Sequence, residues 1–252
     1  MRHTSSRSFL SFFIIPLFAL MVTIQSCKVD KYPDTLDYAY DYQPMEVGKY
    51  WIYDVDSIVY NFIVPSTQQI DTFHYQLLES ITDTFYDNQN RLNYRLELST
   101  RIDTGNNTPW TFWKVWYCYK SARTFERQED DLRFMKLVFP IQSDIAWNGN
   151  IFIPVNDTDD LKLYSGWNYK YSNFAKPSLI NGQDFNETVE VDHVDEENLI
   201  DKRKSYELYA KGVGQIFRHL EKINKQDVNA PWDNPYRANG FRYIKRINSY
   251  GP

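Results

Sequence analysis

Two cysteines, four histidines and 33 carboxylate side chains are the groups of this 252-residue chain with the chemistry to act as nucleophile, base or ligand. Cys27 is the one whose neighbours specify a reaction. It closes the tetrad Ile24-Gln25-Ser26-Cys27, after an apolar run from Phe9 to Ile24 that follows Arg2, His3 and Arg7. A basic start, a short greasy segment and a small residue before the cut form an export signal, and a cysteine at the cut points to lipid attachment. The tetrad has the form of a bacterial lipobox, with Gln25 where a small residue is usual; in such a site the thiol takes up diacylglycerol and becomes the mature N-terminus. Ordinary signal-peptidase cleavage is less well served, because Ile24 fills the third position before the cut. A permanent span is disfavoured too, since the run ends after about 16 residues and contains Pro16, against the ~20 helical residues that cross a bilayer. Lipidation at Cys27 is the reading, with plain secretion or a retained anchor as alternatives. Two or three acyl chains, such as diacylglycerol with palmitate, hold a protein stably on a membrane where one does not.

The remaining groups point to no reaction. Cys118, flanked by Tyr117 and Tyr119, reads as a small buried hydrophobe. His3 falls in the signal, and His74, His193 and His219 are far apart, each reading as a surface or capping residue. Asn156-Asp157-Thr158-Asp159-Asp160 lacks the glycine and distal glutamate of a calcium loop and reads as a solvated loop. Glu126-Arg127-Gln128-Glu129-Asp130-Asp131 reads as a mixed-charge hairpin tip. Gly212-Val213-Gly214 is too short to cradle a phosphate and fits a turn or bulge needing positive φ. No nucleophile elbow, zinc-protease helix, phosphate loop or Cys-x-x-Cys pair occurs, and no metal or cofactor is implied. A glycosidase would need two carboxyls ~5 to 9.5 Å apart in a cleft, one with a raised pKa.

The elements that would position these groups are strands. Removing residues 1–26 leaves 226 residues and takes the formal charge from −5 to −7, since the signal carries two arginines and no acid. An acidic body excludes nucleic acid as a partner. Tyr, Phe and Trp number 20, 16 and 7, an enrichment that suits half-buried pleated strands. Residues 27–43 are polar and patternless and read as a tether, with one domain over 44–252. Strand-like runs fall at 50–60, 72–84, 92–102, 110–119, 124–129, 133–139, 168–172, 187–194, 205–211, 215–223 and 241–247, with turn signals such as 87–90 and 104–107 between them. This is an all-β, mainly antiparallel meander, predicted to form a curved sheet or incomplete barrel.

Alternation assigns the faces. Leu92, Tyr94, Leu96, Leu98 and Ile102 share one side of their strand, and Asn93, Arg95, Glu97, Ser99 and Arg101 the other. In the 110–119 run, Trp110, Phe112, Trp116 and Cys118 oppose Trp113, Val115, Tyr117 and Tyr119, which predicts burial on both sides or one face lining a ligand cavity. Trp110, Trp113, Trp116, Trp147 and Trp167 are the candidate ligand-facing aromatics; Trp232 joins them if the ligand is a sugar on which indoles stack.

The segment Tyr42-Gln43-Pro44-Met45-Glu46-Val47-Gly48-Lys49-Tyr50-Trp51-Ile52-Tyr53-Asp54-Val55-Asp56 resembles the opening of a group of uncharacterised Bacteroidetes lipoproteins. Ala146-Trp147-Asn148-Gly149-Asn150 and Tyr206-Glu207-Leu208-Tyr209-Ala210-Lys211-Gly212-Val213-Gly214 are similar to later motifs of that group. The resemblance spans most of the mature chain and implies an outer-membrane or periplasmic lipoprotein of one β domain; it transfers no catalytic residue. Asp34-Thr35-Leu36 and Asp56-Ser57-Ile58 also resemble the phylum's short O-glycosylation sites. By their own pattern Trp51, Tyr53 and Val55 face one side of the first strand, and Tyr50, Ile52, Asp54 and Asp56 the other, after a turn at Gly48. Three functions follow as expectations. The first is a non-enzymatic envelope protein, held to the membrane by lipid on Cys27, that binds an apolar or glycan ligand or docks on an envelope protein. It predicts an aromatic concavity without a convergent titratable cluster. The second is a surface glycan-binding accessory of polysaccharide utilisation, and the third a two-carboxylate hydrolase.

Overall fold

The computed structural model describes residues 37–63, 67–102, 108–143, 145–155 and 160–252. The signal, Cys27, the tripeptide at Asp34, the turn at 104–107 and the acidic stretch 156–159 lie outside the described residues. Within them, twelve strands run as β1 (Tyr50–Ile63), β2 (Thr67–Tyr86), β3 (Leu92–Ile102), β4 (Thr111–Lys120), β5 (Thr124–Glu129), β6 (Leu132–Val138), β7 (Ala146–Trp147), β8 (Tyr169–Ile180), β9 (Gln183–Glu197), β10 (Asp201–Ala210), β11 (Gly214–Lys225) and β12 (Ala238–Gly251). They form one antiparallel sheet in the order β6-β5-β4-β3-β2-β1-β12-β11-β10-β9-β8-β7. Sequence neighbours pair throughout except β6 and β7, which stand at the two ends of the order, and β12 returns to lie on β1, with Trp51 opposite Tyr250 and Tyr60 opposite Gly240.

The sheet curls until its two ends meet. Met135 N on β6 donates to Gly149 O just beyond β7, and Trp147 Nε1 donates back to Met135 O, each at 2.8 Å. Tyr171 OH on β8 completes the seam, accepting from Val138 N and donating to Val138 O. The result is a nearly closed barrel, and edge strands that would invite association are paired off. Gly149 is required at this seam, because a Cβ there would lie 2.4 Å from the Tyr169 ring.

The two-residue period places the barrel's inner layer. Trp51, Tyr53 and Val55 of β1 are buried, as are Leu77 and Ile81 of β2, Leu96 and Leu98 of β3, Val189 and Val191 of β9 and Ile247 of β12. The first strand's predicted faces are therefore those observed, and β3 keeps its dry face at its centre while Leu92 and Ile102 emerge at its ends. β4 departs from expectation. Phe112, Trp113 and Tyr117 are exposed, so the strand is not covered on both sides; a bulge opposite Leu98/Ser99 shifts its phase near Trp113, and only the inward side at Cys118 is fully covered. The strands also run past their predicted ends. The β8 extension to Ile180 passes Pro177 and positive-φ Asn173 and Ala175, with register shifts at both sides of Lys176, all features that erase a strand pattern in sequence.

Residues 37–43 are not tether. Ala39, Tyr42 and Gln43 are buried in a short 3-10 turn (Tyr40–Tyr42) packed on one end of the barrel. Gly212 N donates to Asp41 O, and Lys120 Nζ donates to Tyr40 O and Gln43 O. The compact unit accordingly begins at Asp37. The segments Tyr42–Asp56 and Tyr206–Gly214 touch at this end: Trp51 Nε1 donates to Val213 O at 2.7 Å, and Tyr53 OH to Gln215 O at 2.9 Å. Gly212 and Gly214 both take positive φ in the β10–β11 connection, so Gly212-Val213-Gly214 is a turn, as its spacing predicts. No helix among the described residues is long and apolar enough to cross a membrane.

Candidate functional site

Seven charged side chains occupy inward positions that the strand period would otherwise give to apolar residues. Glu79 sits between Leu77 and Ile81 on β2, Arg127 and Glu129 follow Phe125 on β5, and Lys136 follows Phe134 on β6. Glu207 lies between Ser205 and Tyr209 on β10, Arg218 between Ile216 and Leu220 on β11, and Lys245 between Tyr243 and Ile247 on β12. All are buried. Bare charges there would be prohibitively unfavourable, and the side chains meet across the lumen in pairs.

Glu79 Oε1 accepts from Arg127 Nη2 and from Lys245 Nζ, both at 2.8 Å. Glu129 Oε2 accepts from Arg218 Nη1 at 2.8 Å, and its other oxygen lies 3.1 Å from Lys136 Nζ. Lys136 Nζ in turn donates to Glu207 Oε1 at 2.8 Å, and Tyr209 OH donates to Glu207 Oε2 at 2.7 Å. Burial would raise all three carboxyls, but the opposing charges outweigh it. Arg127 and Lys245 hold Glu79 down at about 2, Arg218 and Lys136 hold Glu129 well below the usual range, and Lys136 leads in lowering Glu207. Burial wins at Lys245, whose ammonium comes down to about 8 despite Glu79, and it keeps Tyr53, Tyr209 and Tyr243 protonated.

His193 belongs to this interior as well, correcting its reading as a surface or capping residue. Its ring stacks on Tyr169 and Trp167 at centroid distances of 4.1 and 5.6 Å, and its Nδ1 lies 2.9 Å from Ser205 Oγ. Burial pushes it down to about 3, so it is neutral at pH 7. Its Nε2 is 3.9 Å from Glu207 Oε2 and has no hydrogen-bond partner. Arg127 and Glu129 likewise overturn the hairpin-tip reading of 126–131: only Asp130 and Asp131 make the turn. The convergent titratable cluster that the binding hypothesis expected to be absent is thus present, with each of its carboxylates paired to a cation.

The two ends of the lumen differ. At the end capped by residues 37–45, Gln43, Met45, Trp51 and Tyr53 leave a void of only about 10 Å³. At the other end the barrel opens into a concavity of about 550 Å³. Val59, Trp116, Leu220, Phe241 and Tyr243 supply its apolar walls, and Arg218, at its inner limit, connects it to the ion pairs. Gly240 shapes the rim: with φ of 129° and Lys222 O only 2.0 Å from where a Cβ would stand, it lets β12 pass close against β11.

The candidate tryptophans are dispersed around the barrel. Trp116 lines the mouth, with the Arg127 guanidinium 4.7 Å from its ring and its Nε1 bonded to Asp130. Trp113 is exposed on a separate groove of about 500 Å³ with Tyr75, Thr100, Arg101 and Ile102, and Trp110 packs under Arg101 at 4.3 Å. Trp147 is held at the barrel seam against Tyr169 and Tyr171, and Trp167 is buried beside His193. Trp232, on the outer surface, faces Lys225 at 4.0 Å. Cys118 is a buried free thiol pushed up to about 12 by burial. Among the described residues the one carboxylic acid with a raised pKa is Glu190, shifted up by burial and by its bond to Asp192; alternation with buried Val189, Val191 and His193 puts that pair on the outer face. Two carboxyls bonded to each other leave no room for a sugar between them. Among the described residues no group of His, Cys, Asp and Glu side chains is placed to hold a metal.

No family model matches the chain, and no curated protein is found similar to it.

Proposed function

We propose that this chain is a lipid-anchored envelope lipoprotein, held on the outer membrane through Cys27, whose barrel binds a small amphipathic ligand without chemically changing it. The observation that carries the binding reading is the mouth. A concavity of about 550 Å³ walled by Trp116, Phe241 and Tyr243 has the size and aromatic lining of a small-molecule site. Its floor is braced by ion pairs whose carboxylates are held ionised by neighbouring cations, which suits a rigid receptacle better than a proton-transferring centre. The export signal and the resemblance of Tyr42–Asp56 and Tyr206–Gly214 to Bacteroidetes lipoproteins support the location.

Two measurements test this. Titrating the protein with an environment-sensitive naphthalene dye should enhance dye emission and quench tryptophan, with the tryptophan change lost in Trp116→Phe; no response in the wild type would remove the binding reading. Replacing Cys27 with serine should release the protein from membrane pellets with loss of acyl label, and unchanged sedimentation would refute the anchor.

A glycan-binding accessory is the second reading, and exposed Trp113 in its groove with Tyr75 and Arg101 is what favours it. A polysaccharide panel that leaves protein mobility in affinity gels unchanged would exclude it.

A further inference from the structure

The lumen's charges do not balance. Among the described residues, Arg127, Lys136, Arg218 and Lys245 face only Glu79, Glu129 and Glu207 in the buried network, while His193 is neutral, so one cation is left over. Of these four cations Arg218 alone lines the mouth, and none of the described carboxylates lines it. Arg218 is 8% exposed and its Nε, buried, has no hydrogen-bond partner; the nearest acid atom, Glu207 Oε1, stands at 3.5 Å. A guanidinium at the bottom of an aromatic funnel, with its Nη1 on Glu129 and its buried Nε turned to Glu207, gives the funnel's inner limit a positive charge that favours an anion.

We propose that the mouth selects an amphipathic monocarboxylate, its acid group on Arg218 and its apolar body against Trp116, Phe241 and Val59. This rests on the binding reading above and specifies its ligand. One negative charge cancels the surplus cation, and Arg218 offers a planar donor set matched to a carboxylate. A second acid group would restore an imbalance of opposite sign, which argues for a single charge. Ser57, Asn61 and Asn239 supply neutral hydrogen-bonding groups at the wall and rim.

The test compares matched ligands on the wild-type protein by calorimetry at pH 7: 1-naphthaleneacetate against 1-naphthaleneacetamide, and decanoate against decanol. The acid of each pair should bind at least about tenfold more tightly, the scale of one charge-assisted hydrogen bond. Arg218→Met should abolish the preference. Because that change leaves Glu129 short of a partner and can impair folding, Asn61→Asp provides an independent variant: it adds one negative charge at an exposed rim position and should weaken the acids by about threefold or more while sparing the amide. Equal binding of acid and neutral ligand would overturn the proposal and leave the mouth a binding site. A preference for the acid that survives in folded Arg218→Met, or that Asn61→Asp leaves untouched, would also overturn it. Binding of none of the four would remove the proposal together with the reading beneath it.

Discussion

Lys136 Nζ stands 2.8 Å from Glu207 Oε1, although β6 and β10 are eight positions apart in the order of the sheet. The pair therefore spans the lumen and, with Glu129–Arg218 between β5 and β11, ties the two halves of the sheet together inside the barrel. Apolar packing would close the lumen without directional demand; charged groups must find their partners, which fixes which strands face each other. Removing one partner leaves a buried unpaired charge, so Lys136→Met and Glu207→Leu should each cost about 3–5 kcal/mol, while the double substitution should recover most of the loss. Urea denaturation of the four proteins measures this directly, and additive losses would show that the pair does not act as a unit.

Acid should unfold the protein over a defined range. Glu79 at about 2, with Glu129 and Glu207 also depressed, contributes stability that is complete above the unfolded carboxyl value, ~4.3, and lost as pH falls toward 2. His193 adds to the same trend: held at about 3 against ~6.5 unfolded, it binds fewer protons folded than unfolded, so stability climbs with pH between those values. Lys245, lowered to about 8, gives a gain above pH 8 that is soon opposed: Cys118, raised to about 12, stays protonated where an unfolded thiol ionises at ~8.5, and Tyr53, Tyr209 and Tyr243 stay protonated where unfolded tyrosines ionise at ~10. Stability to chemical denaturation should rise with pH from 3 to about 8, and His193→Gln should flatten the segment between about 4 and 6.5. A maximum near pH 5 would contradict the assignment of these groups.

Much of this barrel is legible in its sequence, and what is hidden has a common cause. The edges of β3 and β5 and the turn at Gly212 follow from residue alternation and glycine placement, because they are local. β7, two residues long, carries no period of its own and exists only because the seam needs Trp147 and Gly149. The site is hidden for a different reason: a charge run such as 126–131 looks solvated when read as composition. Read in phase with Phe125, Arg127 and Glu129 fall on the dry face, as Glu79 does between Leu77 and Ile81 and Lys245 between Tyr243 and Ile247. Seven charges interrupting apolar faces were the available signal; which of them pair depends on curvature that strand patterns do not encode.

Gly240 is predicted to be the least replaceable glycine at the mouth. Its φ of 129° lies in a region nearly closed to other residues, and an added Cβ would collide with Lys222 O. Gly240→Ala should cost more than the ~1–3 kcal/mol of the backbone conformation alone. Gly166→Ala serves as the comparison: φ is 74° and nothing lies within 4 Å, so about 1–2 kcal/mol is expected. Thermal melts of the two variants at one pH rank them, and equal losses would mean that β11 and β12 are free to separate at the rim.

Cys118 offers a probe of whether the barrel breathes. Its thiol is buried beneath β3 and β5, with Arg127 and Glu79 nearby, and burial raises it to about 12. Thiolate is the reactive form, so at pH 8 the native thiol has only about one part in ten thousand in that state, and reagent cannot reach it without local opening. Labelling by a disulfide reagent in native buffer should therefore be slower than in urea by at least about a thousandfold, at a rate set by opening of the sheet rather than by reagent concentration once reagent is abundant. Lys136→Met, which loosens the ties across the lumen, should accelerate labelling in proportion to its loss of stability if the opening is global. Fast, concentration-dependent labelling of the wild type would show instead that β3 and β4 part locally, and that the ion pairs hold the far side of the barrel without holding this one.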